Sequence, residues 1–469
     1  MKESYITTAI PYVNGNPHLG HVMDYLLADT LRRYMMYCGK KVRLQAGTDE
    51  HGNKNFKKAA ELGIPAQEFV DQTAAKFQSF IHSLGVEYTD FIRTTDPDHE
   101  HRCQEIWRKL SDHIYKDKYE GWYCEGCEGY ITDKEYADNH GECPDHKKPY
   151  VKFSEENYFL RISDFKKRIR EAIESDRLRI TPSFRKKEFL NLLEDMPDVS
   201  ISRPKEQVQW GVPVPDDDGQ VMYVWIDALS NYITVLGYPD HDISQDWPAH
   251  TQIVGKDILR FHAGIWPAML LGLKLALPRN LLAHGWITVN GEKMSKSVGN
   301  VIDPQEIIDK HGLAPFRYYF LRHASTTDDA DFTWEKYEAA YNELANDLGN
   351  LVQRLATLCK KNSIGGQKVK KTQNQEFDAH MEKYEFNSAF DVLWNGISEL
   401  NKRIDAEKPW ALAKTDPKKA REVLIKLVAD LLSINDRLAI FIPDVSEKIA
   451  AIFTAPEIEP PATPLFPKN

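Results

Sequence analysis

The stretch YITTAIPYVNGNPHLGH occupies residues 5–21 and decides how the chain folds. Its apolar start, Tyr5 to Ile10, predicts a buried strand, and the Pro-, Gly- and Asn-rich segment 11–17 predicts a turn. A helix is predicted from about His21 to Tyr37, and a second strand from Lys41 to Ala46. Strand, helix and strand make a βαβ unit, the building block of a doubly wound parallel sheet.

The rest of the chain extends this unit. Apolar runs at 221–226, 252–255 and 281–284 predict further strands of the same sheet. From about Tyr119 to Tyr150, Gly, Cys and acidic residues replace the βα rhythm, which indicates an insertion that extends from roughly 115 to 215. After Thr333 apolar residues recur at helical spacing, which predicts a helix bundle. The predicted fold is therefore α/β, with a doubly wound, Rossmann-like parallel sheet, an inserted connective domain and a C-terminal α-helix bundle.

The predicted domain boundaries follow these changes in pattern. They are the first half of the α/β domain at 1–114, a connective insertion at 115–215, the second half of that domain at 216–288, a segment with a lysine loop at 289–340, and the helix bundle at 341–469. No dimerisation module is apparent after the bundle, so we expect a monomer.

The composition and charge of the chain argue against a general nucleic-acid binder, a membrane protein and a secreted protein. The 60 basic and 70 acidic residues give a formal net charge of −10, which argues against indiscriminate nucleic-acid binding but allows an RNA held by local basic patches. No run of about 18 apolar residues suggests a membrane span. The N-terminal segment lacks the apolar core of a secretion signal. We therefore expect a cytoplasmic location and no membrane partner.

Two distant motifs carry groups that bind phosphate. His18-Leu19-Gly20-His21 lies where a strand gives way to a helix, and Lys293-Met294-Ser295-Lys296-Ser297 lies in a loop between glycines. Imidazole N–H groups, lysines and helix N-termini all hold phosphates. For the histidines, a helix cap beside an ordinary surface histidine remains an alternative, and for the lysines a solvated loop.

A cysteine cluster predicts a metal site. Cys124 and Cys127 have C-x-x-C spacing, and Cys143 and His146 have C-x-x-H spacing after an interval of fifteen residues. This pattern predicts one structural Zn²⁺ per chain in a knuckle at 121–149, with all four positions filled. A redox pair or a disulfide is the alternative. The other cysteines, at 38, 103 and 359, are expected to be buried small apolar residues.

Four segments together resemble the methionyl-tRNA synthetase family of class I aminoacyl-tRNA synthetases. They are residues 9–21, 223–229, 255–262 and 289–297, and the resemblance extends to about residue 455. One departure is Leu229, where many members of that family have proline.

The resemblance implies roles for individual residues around ATP and methionine. His18, His21, Lys293 and Lys296 would be catalytic, and these four with Gly20 and Ser295 would bind ATP, which Mg²⁺ accompanies. Asp49 would hold the substrate ammonium, and Arg203 would lie near the carboxylate. The methionine side chain would contact Ile10, Tyr12, Trp225, Ala228, Tyr232, Ile258 and His262. Plain core packing is the alternative for the aromatic residues of this set.

The resemblance also implies an RNA partner. Asn350, Arg354 and Trp410 would read the anticodon of methionine tRNA, initiator and elongator alike, because exposed aromatic rings stack splayed bases. A tryptophan in the bundle core is the alternative.

The implied function is an ATP-dependent ligase that activates L-methionine and transfers it to tRNA. A class I synthetase for another amino acid and a catalytically silent tRNA-binding relative remain open as alternatives.

Overall fold

The structure is a computed structural model that describes residues 3–124, 126, 129–145, 147–294 and 299–467. The strands are β1 (Ser4–Thr8), β2 (Val42–Thr48), β3 (Asp90–Arg93), β4 (Ile114–Cys124), β5 (Gly129–Ile131), β6 (Val151–Leu160), β7 (Arg179–Thr181), β8 (Val199–Ser200), β9 (Ser202–Pro204), β10 (Gln220–Met222), β11 (Thr251–Gly255), β12 (Asn280–His284), β13 (Ile287–Val289), β14 (Glu292–Lys293) and β15 (Ala330–Phe332).

Helices make up most of the remaining described chain. They are α1 (Val22–Tyr37), α2 (Asn53–Leu62), α3 (Ala66–Ser83), α4 (Pro97–Lys109), α5 (Asp133–Asp138), α6 (Lys166–Glu174), α7 (Ser183–Asp195), α8 (Val224–Thr234), α9 (Trp266–Gly272), α10 (Pro304–His311), α11 (Leu313–Tyr318), α12 (Trp334–Leu344), α13 (Asn350–Lys361), α14 (Gln375–Glu382), α15 (Phe386–Glu407), α16 (Pro409–Thr415), α17 (Pro417–Phe441) and α18 (Pro443–Thr454). None of these helices combines the length and apolar character that a bilayer crossing requires.

The central sheet is parallel and has the strand order β3-β2-β1-β11-β12-β7. Successive side chains of a strand point to opposite faces, so each strand supplies two hydrophobic cores. Ile6 and Ile253 pack with α1 and α3 on one face, whereas Tyr5 and Val254 pack with α4, α8 and α9 on the other. The parallel α/β sheet and the helical C-terminal region are confirmed.

One predicted strand of this sheet is wrong. Residues 221–226 do not continue the central sheet, because β10 pairs antiparallel with β9 and the chain then enters α8. In α8, Ile226, Leu229 and Ile233 are buried at helical spacing. A short apolar run does not distinguish a strand from a buried helix, and here the helical spacing prevails.

The sixth strand comes from inside the predicted insertion. β7 pairs parallel with β12, with Ile180 opposite Leu281. The segment 115–215 therefore contains both connective structure and part of the central sheet. The connective part is an antiparallel sheet, β5-β4-β6-β8, and β4 and β6 pair along ten residues from Ile114 to Tyr123. A strand of three residues leaves too short a pattern to recognise in the sequence.

The C-terminal helices pack as predicted. Leu344, Leu348, Leu351 and Leu355 are fully buried in the same hydrophobic core as α1, so the bundle packs against the α/β part of the chain. The Gly- and Lys-rich segment 363–371 lies between α13 and α14. Cys103 and Cys359 are buried as expected, but Cys38 is exposed. It follows the last residue of α1, where the helix runs out into a turn.

Candidate active site

A cavity of about 460 Å³ opens where the two halves of the central sheet meet. β1 and β11 lie side by side there, and the chain turns outward from the carboxyl end of each. In open α/β sheets, ligands bind at this switch point beyond the carboxyl ends of the strands. The wall is formed by residues from several segments, among them 9–12, 18–21, 255–258 and 293–294.

The two histidines of the N-terminal motif have defined proton positions. The chain forms one 3₁₀ turn at Leu19–His21 before α1. The backbone N–H of Gly20 donates to His18 Nδ1, and the backbone N–H of His18 donates to His21 Nδ1, each at 3.1 Å. Because each Nδ1 accepts a hydrogen bond, each neutral imidazole carries its proton on Nε2. Burial and the neighbouring His18 hold the pKa of His21 well below its usual value, so it stays neutral.

The predicted cap and the predicted ligand role are therefore compatible. His18 caps the 3₁₀ turn through Nδ1 and keeps Nε2–H as a donor. His18 and His21 both line the cavity, with ring centroids 4.1 Å apart. Two N–H donors at the N-terminus of a helix suit an anionic ligand.

The lysine loop reaches the same cavity. Lys293 and Met294 line its wall, and a Cβ added at Gly20 would lie 3.6 Å from Met294 Cε. The same Cβ would lie 2.8 Å from His18 Cε1, so any side chain at position 20 would collide with the motif. The two motifs thus converge on one cleft. Ser295, Lys296 and Ser297 lie outside the described residues.

Trp286 holds the described lysine of the loop. Lys293 Nζ lies 4.0 Å from the centre of the indole, and Lys256 Nζ lies 4.1 Å from it. An ammonium over an indole face is attracted by the ring quadrupole. Two cationic groups are therefore held at one edge of the cavity.

Nine residues are predicted to bind the substrate methionine. Five of them line this cavity, namely Ile10, Tyr12, Asp49, Trp225 and Ile258. Asp49 is 9 % exposed, and its backbone N–H donates to the Pro11 carbonyl at 2.9 Å. The Trp225 ring is parallel to that of Phe261, with centroids 3.8 Å apart. An acidic group and a flat aromatic surface thus line the same cavity.

Three other predicted residues lie directly behind that wall. Ala228, Tyr232 and His262 are buried, and burial lowers the pKa of His262 to about 4. His262 Nδ1 lies 3.0 Å from the Ile258 carbonyl oxygen, so Nδ1 must donate and Nε2 must accept. Tyr232 Oη then donates to Nε2 over 2.7 Å. The pair is neutral and internally satisfied, which suits an apolar side chain with a weakly polar sulfur.

Arg203, the ninth of these residues, is also absent from the cavity wall. It lines a smaller neighbouring cavity with Tyr223, whose ring lies 4.3 Å from its guanidinium carbon. Tyr223 lines both cavities. Arg203 therefore lies one layer behind the wall.

Sequence reasoning missed several polar residues of the wall. Asp24, Asp257, His284 and Trp286 all line the cavity. His284 Nε2 lies 3.1 Å from Asp24 Oδ1, and the Trp286 indole N–H donates to Asp257 Oδ1 at 3.1 Å. Burial lowers the pKa of His284, but the Asp24 carboxylate outweighs this effect and raises the pKa above its usual value. The signal available in the sequence was their position: Asp24 lies in the first turn of α1, His284 ends β12, and Asp257 and Trp286 each follow the end of a strand by two residues.

The structure describes two of the four predicted metal ligands. Cys124 and Cys143 are buried in one small cluster with Tyr150, and partly buried aromatic residues surround it. Cys127 and His146 lie outside the described residues.

The predicted RNA-reading residues come together on the surface of the bundle. The Arg354 guanidinium lies 4.9 Å from the Trp410 ring and 2.6 Å from Asp405 Oδ1. Trp410 is 41 % exposed at the start of α16. Asn350 is exposed one turn before Arg354 on α13. The indole is therefore a surface group and not part of the bundle core.

A family model and individual relatives both match most of this chain. The family model for "tRNA synthetases class I (M)" matches residues 4–152 and 145–356. Methionine–tRNA ligase of Caldanaerobacter subterraneus subsp. tengcongensis is 38 % identical over 471 residues, which cover 96 % of this chain and 73 % of that protein. Methionine–tRNA ligase of Rickettsia bellii is 37 % identical over 468 residues, which cover 95 % and 91 %.

A solved structure has the same fold along its whole length. Mycobacterium tuberculosis methionyl-tRNA synthetase in complex with methionyl-adenylate is 32 % identical and superposes with a TM-score of 0.90, covering 100 % of both chains.

Proposed function

This chain belongs to the methionine–tRNA ligase family of class I tRNA synthetases, and we propose that it activates L-methionine with ATP and transfers it to methionine tRNA. It is a ligase that forms methionyl-adenylate and pyrophosphate in its first step. In the second step, a ribose hydroxyl of the terminal adenosine attacks the activated carbonyl. The convergence of His18, His21 and Lys293 on one cavity at the switch point carries this conclusion.

The first step needs charge stabilisation rather than a covalent intermediate. The methionine carboxylate attacks the α-phosphate, and negative charge grows on the departing pyrophosphate. The Nε2–H groups of His18 and His21 donate to phosphate oxygens, and Gly20 leaves room for the nucleotide. Lys293, Lys296 and Ser295 hold the pyrophosphate side, with Mg²⁺ bound to ATP. Donors fixed before the reaction stabilise the transition state without reorganisation.

The acidic residues missed in the sequence complete the nucleotide site. Asp257 and the Asp24–His284 pair line the cavity close to the histidine motif. Carboxylate oxygens accept hydrogen bonds from sugar hydroxyls. We therefore assign this end of the cavity to the ribose.

The other end of the cavity accepts methionine. Asp49 pairs with the ammonium, while Ile10, Tyr12, Trp225 and Ile258 contact the side chain. The buried residues Ala228, Tyr232 and His262 define how deep the pocket is. Arg203 acts on the carboxylate side through Tyr223, whose ring it touches. A soft, unbranched thioether fits such aromatic surroundings.

Methionine-dependent exchange of pyrophosphate into ATP tests this function. We expect exchange with methionine and none with leucine, isoleucine, valine or cysteine at equal concentration. Exchange driven by one of those amino acids would instead identify a class I synthetase of another specificity. A protein that consumes no ATP with any of them would be a silent tRNA-binding relative.

The anticodon contact makes a separate prediction. Trp410→Ala lowers kcat/KM for tRNA charging by about tenfold or more, because a stacked base contributes about 1–3 kcal/mol. Pyrophosphate exchange stays unchanged, since Trp410 lies on the bundle and not in the cavity. Trp410→Phe retains most of the charging activity because phenylalanine still offers a ring to Arg354 and to a base. Equal charging by the alanine variant and the wild type would remove Trp410 from the RNA site.

The cysteine cluster makes another prediction. Cys124 and Cys143 are buried together and suit two thiolate ligands, with Cys127 and His146 completing one structural Zn²⁺ site. We expect one zinc ion per chain by elemental analysis. Cys143→Ser loses the metal and melts at a lower temperature, whereas Cys38→Ser, at an exposed position, keeps both. Zinc retained by the Cys143 variant would contradict the assignment.

A monomeric state and a cytoplasmic location also remain proposals. A sedimentation mass of 54.0 kDa would support the monomer, and twice that value would exclude it.

A further inference from the structure

A group of buried ionisable side chains lies behind the cavity and belongs to none of the proposed ligand contacts. It consists of His51, His99, Cys103 and Asp227, each no more than 3 % exposed, and we call it the Asp227 cluster. The Asp227 carboxylate meets one imidazole at each oxygen. His51 Nδ1 lies 2.7 Å from Oδ2, and His99 Nε2 lies 2.7 Å from Oδ1.

The Asp227 cluster has the composition of a metal site but not its geometry. Within the described ranges, His99, Cys103 and Asp227 are the one group whose ligand atoms all lie within 4.8 Å of one another. Ligands about 2.0 Å from a tetrahedral metal are about 3.3 Å apart, whereas the His99–Asp227 contact of 2.7 Å is a hydrogen bond. Burial and the Asp227 carboxylate raise the pKa of Cys103, which opposes a thiolate ligand. The cluster is therefore a hydrogen-bonded ion network.

This network joins the two parts of the chain that hold methionine. Asp227 follows Trp225 by two residues on α8, and His51 follows Asp49 by two residues after β2. The His51–Asp227 contact thus ties the loop that carries the ammonium partner to the helix that carries the aromatic wall. His99 Nδ1 lies 2.7 Å from Thr234 Oγ1, so the same network also holds the far end of α8.

The loop that carries Asp49 has little freedom of its own. Asp49 N–H donates to the Pro11 carbonyl, and Gly52 N–H donates to the Trp210 carbonyl, both at 2.9 Å. Gly52 has φ of +102°, and a Cβ there would lie 2.3 Å from Tyr12 Oη. A displacement of His51 is therefore transmitted along a stiff segment to Asp49 rather than absorbed locally.

The opposite charges of His51 and Asp227 stabilise the network. Burial lowers the pKa of His51, but Asp227 and then Glu100, whose Oε1 lies 3.4 Å from Nε2, outweigh it and raise the pKa to about 10. Burial raises the pKa of Asp227, but His51 and His99 outweigh it and lower the pKa to about 2. At neutral pH the pair is ionised, and a neutral partner would leave an uncompensated buried charge.

We propose that Asp227 and His51 are positioning residues that fix the Asp49 carboxylate against the Trp225 wall and so set the affinity for methionine. The inference rests on the proposed function, because it concerns the methionine end of that same cavity. Neither residue touches substrate. Asp227 acts through α8 and His51 through the Asp49 loop.

Asp227→Asn tests the proposal, since it keeps the shape of the side chain and removes its charge. We expect KM for methionine in pyrophosphate exchange to rise about 10- to 100-fold, while KM for ATP stays within about twofold, because small misplacements of a binding group cost this much. Asp90→Asn is the matched control, because it makes the same change in an ion pair with Arg43 at the amino end of β2, outside the cavity wall, and its KM values stay at the wild-type level.

A double-mutant cycle with Asp49→Asn separates positioning from general stability. If Asp227 acts through Asp49, the two substitutions together raise KM for methionine much less than the product of their separate effects. Multiplicative effects, an equal rise in both KM values, or no rise would overturn the proposal. His51→Gln gives the same readout if the Asp227 variant does not fold. A wild-type protein without methionine-dependent exchange would instead overturn the proposed function.

Discussion

Lys296→Ala slows methionyl-adenylate formation by about 10²–10³-fold and changes methionine affinity by less than about twofold. The reason is the place of the lysine loop. Its described part, Lys293 and Met294, lines the cavity opposite His18 and His21. Lys296 follows Lys293 by three residues and lies outside the described residues. A cation that meets the pyrophosphate only as charge grows there stabilises the transition state and not the bound substrates.

Pre-steady-state or exchange kinetics with equilibrium binding of methionine measure this effect. Lys310→Ala is the matched control, because it removes one positive charge from α10 nearby, where Lys310 pairs with Glu338 outside the cavity. We expect the control to keep the wild-type rate. An unchanged rate in the Lys296 variant would refute the role of the loop in catalysis.

Lys293 is held at the edge of the cavity by its neighbours. Its ammonium rests on the Trp286 indole beside that of Lys256, and Asp329 neutralises Lys256 through two contacts of 2.6 and 2.7 Å. The arrangement limits repulsion between the lysines while keeping Lys293 at the edge of the cavity. A preformed cationic edge lowers the reorganisation needed when ATP binds.

The sequence predicted the frame of the site because local patterns encode it. The βαβ unit, the turn with His18 and His21, and the leucines of the bundle each have a recognisable spacing, and each lies where expected. The switch point then follows from topology alone. It brings residues 9–21, 255–258 and 293–294 to one cavity although they are distant in sequence.

The errors arose where local pattern carries little information. The run 221–226 is apolar throughout, so tertiary packing decides that Val224 onward is helical. β7 has three residues and owes its place to pairing with β12. Asp24, Asp257 and His284 were missed because single polar residues after a strand or in a helix have no distinctive spacing. The His51–Asp227 contact joins residues 176 positions apart, and a pattern within one segment cannot reveal it.

Asp49→Asn weakens methionine binding by about 100-fold while retaining the fold. Asp49 lies at the proposed methionine end of the cavity, and only 9 % of it is exposed, so water would screen its pairing with an ammonium only weakly. Removing one partner of a buried, hydrogen-bonded charge pair costs about 2–5 kcal/mol. Asparagine preserves size and backbone contacts, so the loss reports charge rather than shape.

Two methionine analogues locate the effect on the substrate atom concerned. Methioninol keeps the ammonium and lacks the carboxylate, whereas the des-amino analogue keeps the carboxylate and lacks the ammonium. If Asp49 holds the ammonium, Asp49→Asn weakens inhibition by methioninol about as strongly as it weakens methionine binding, and it leaves inhibition by the des-amino analogue nearly unchanged. Equal weakening of both analogues would place Asp49 in general support of the pocket, because a change in shape does not discriminate between ligands that differ only in the charged group.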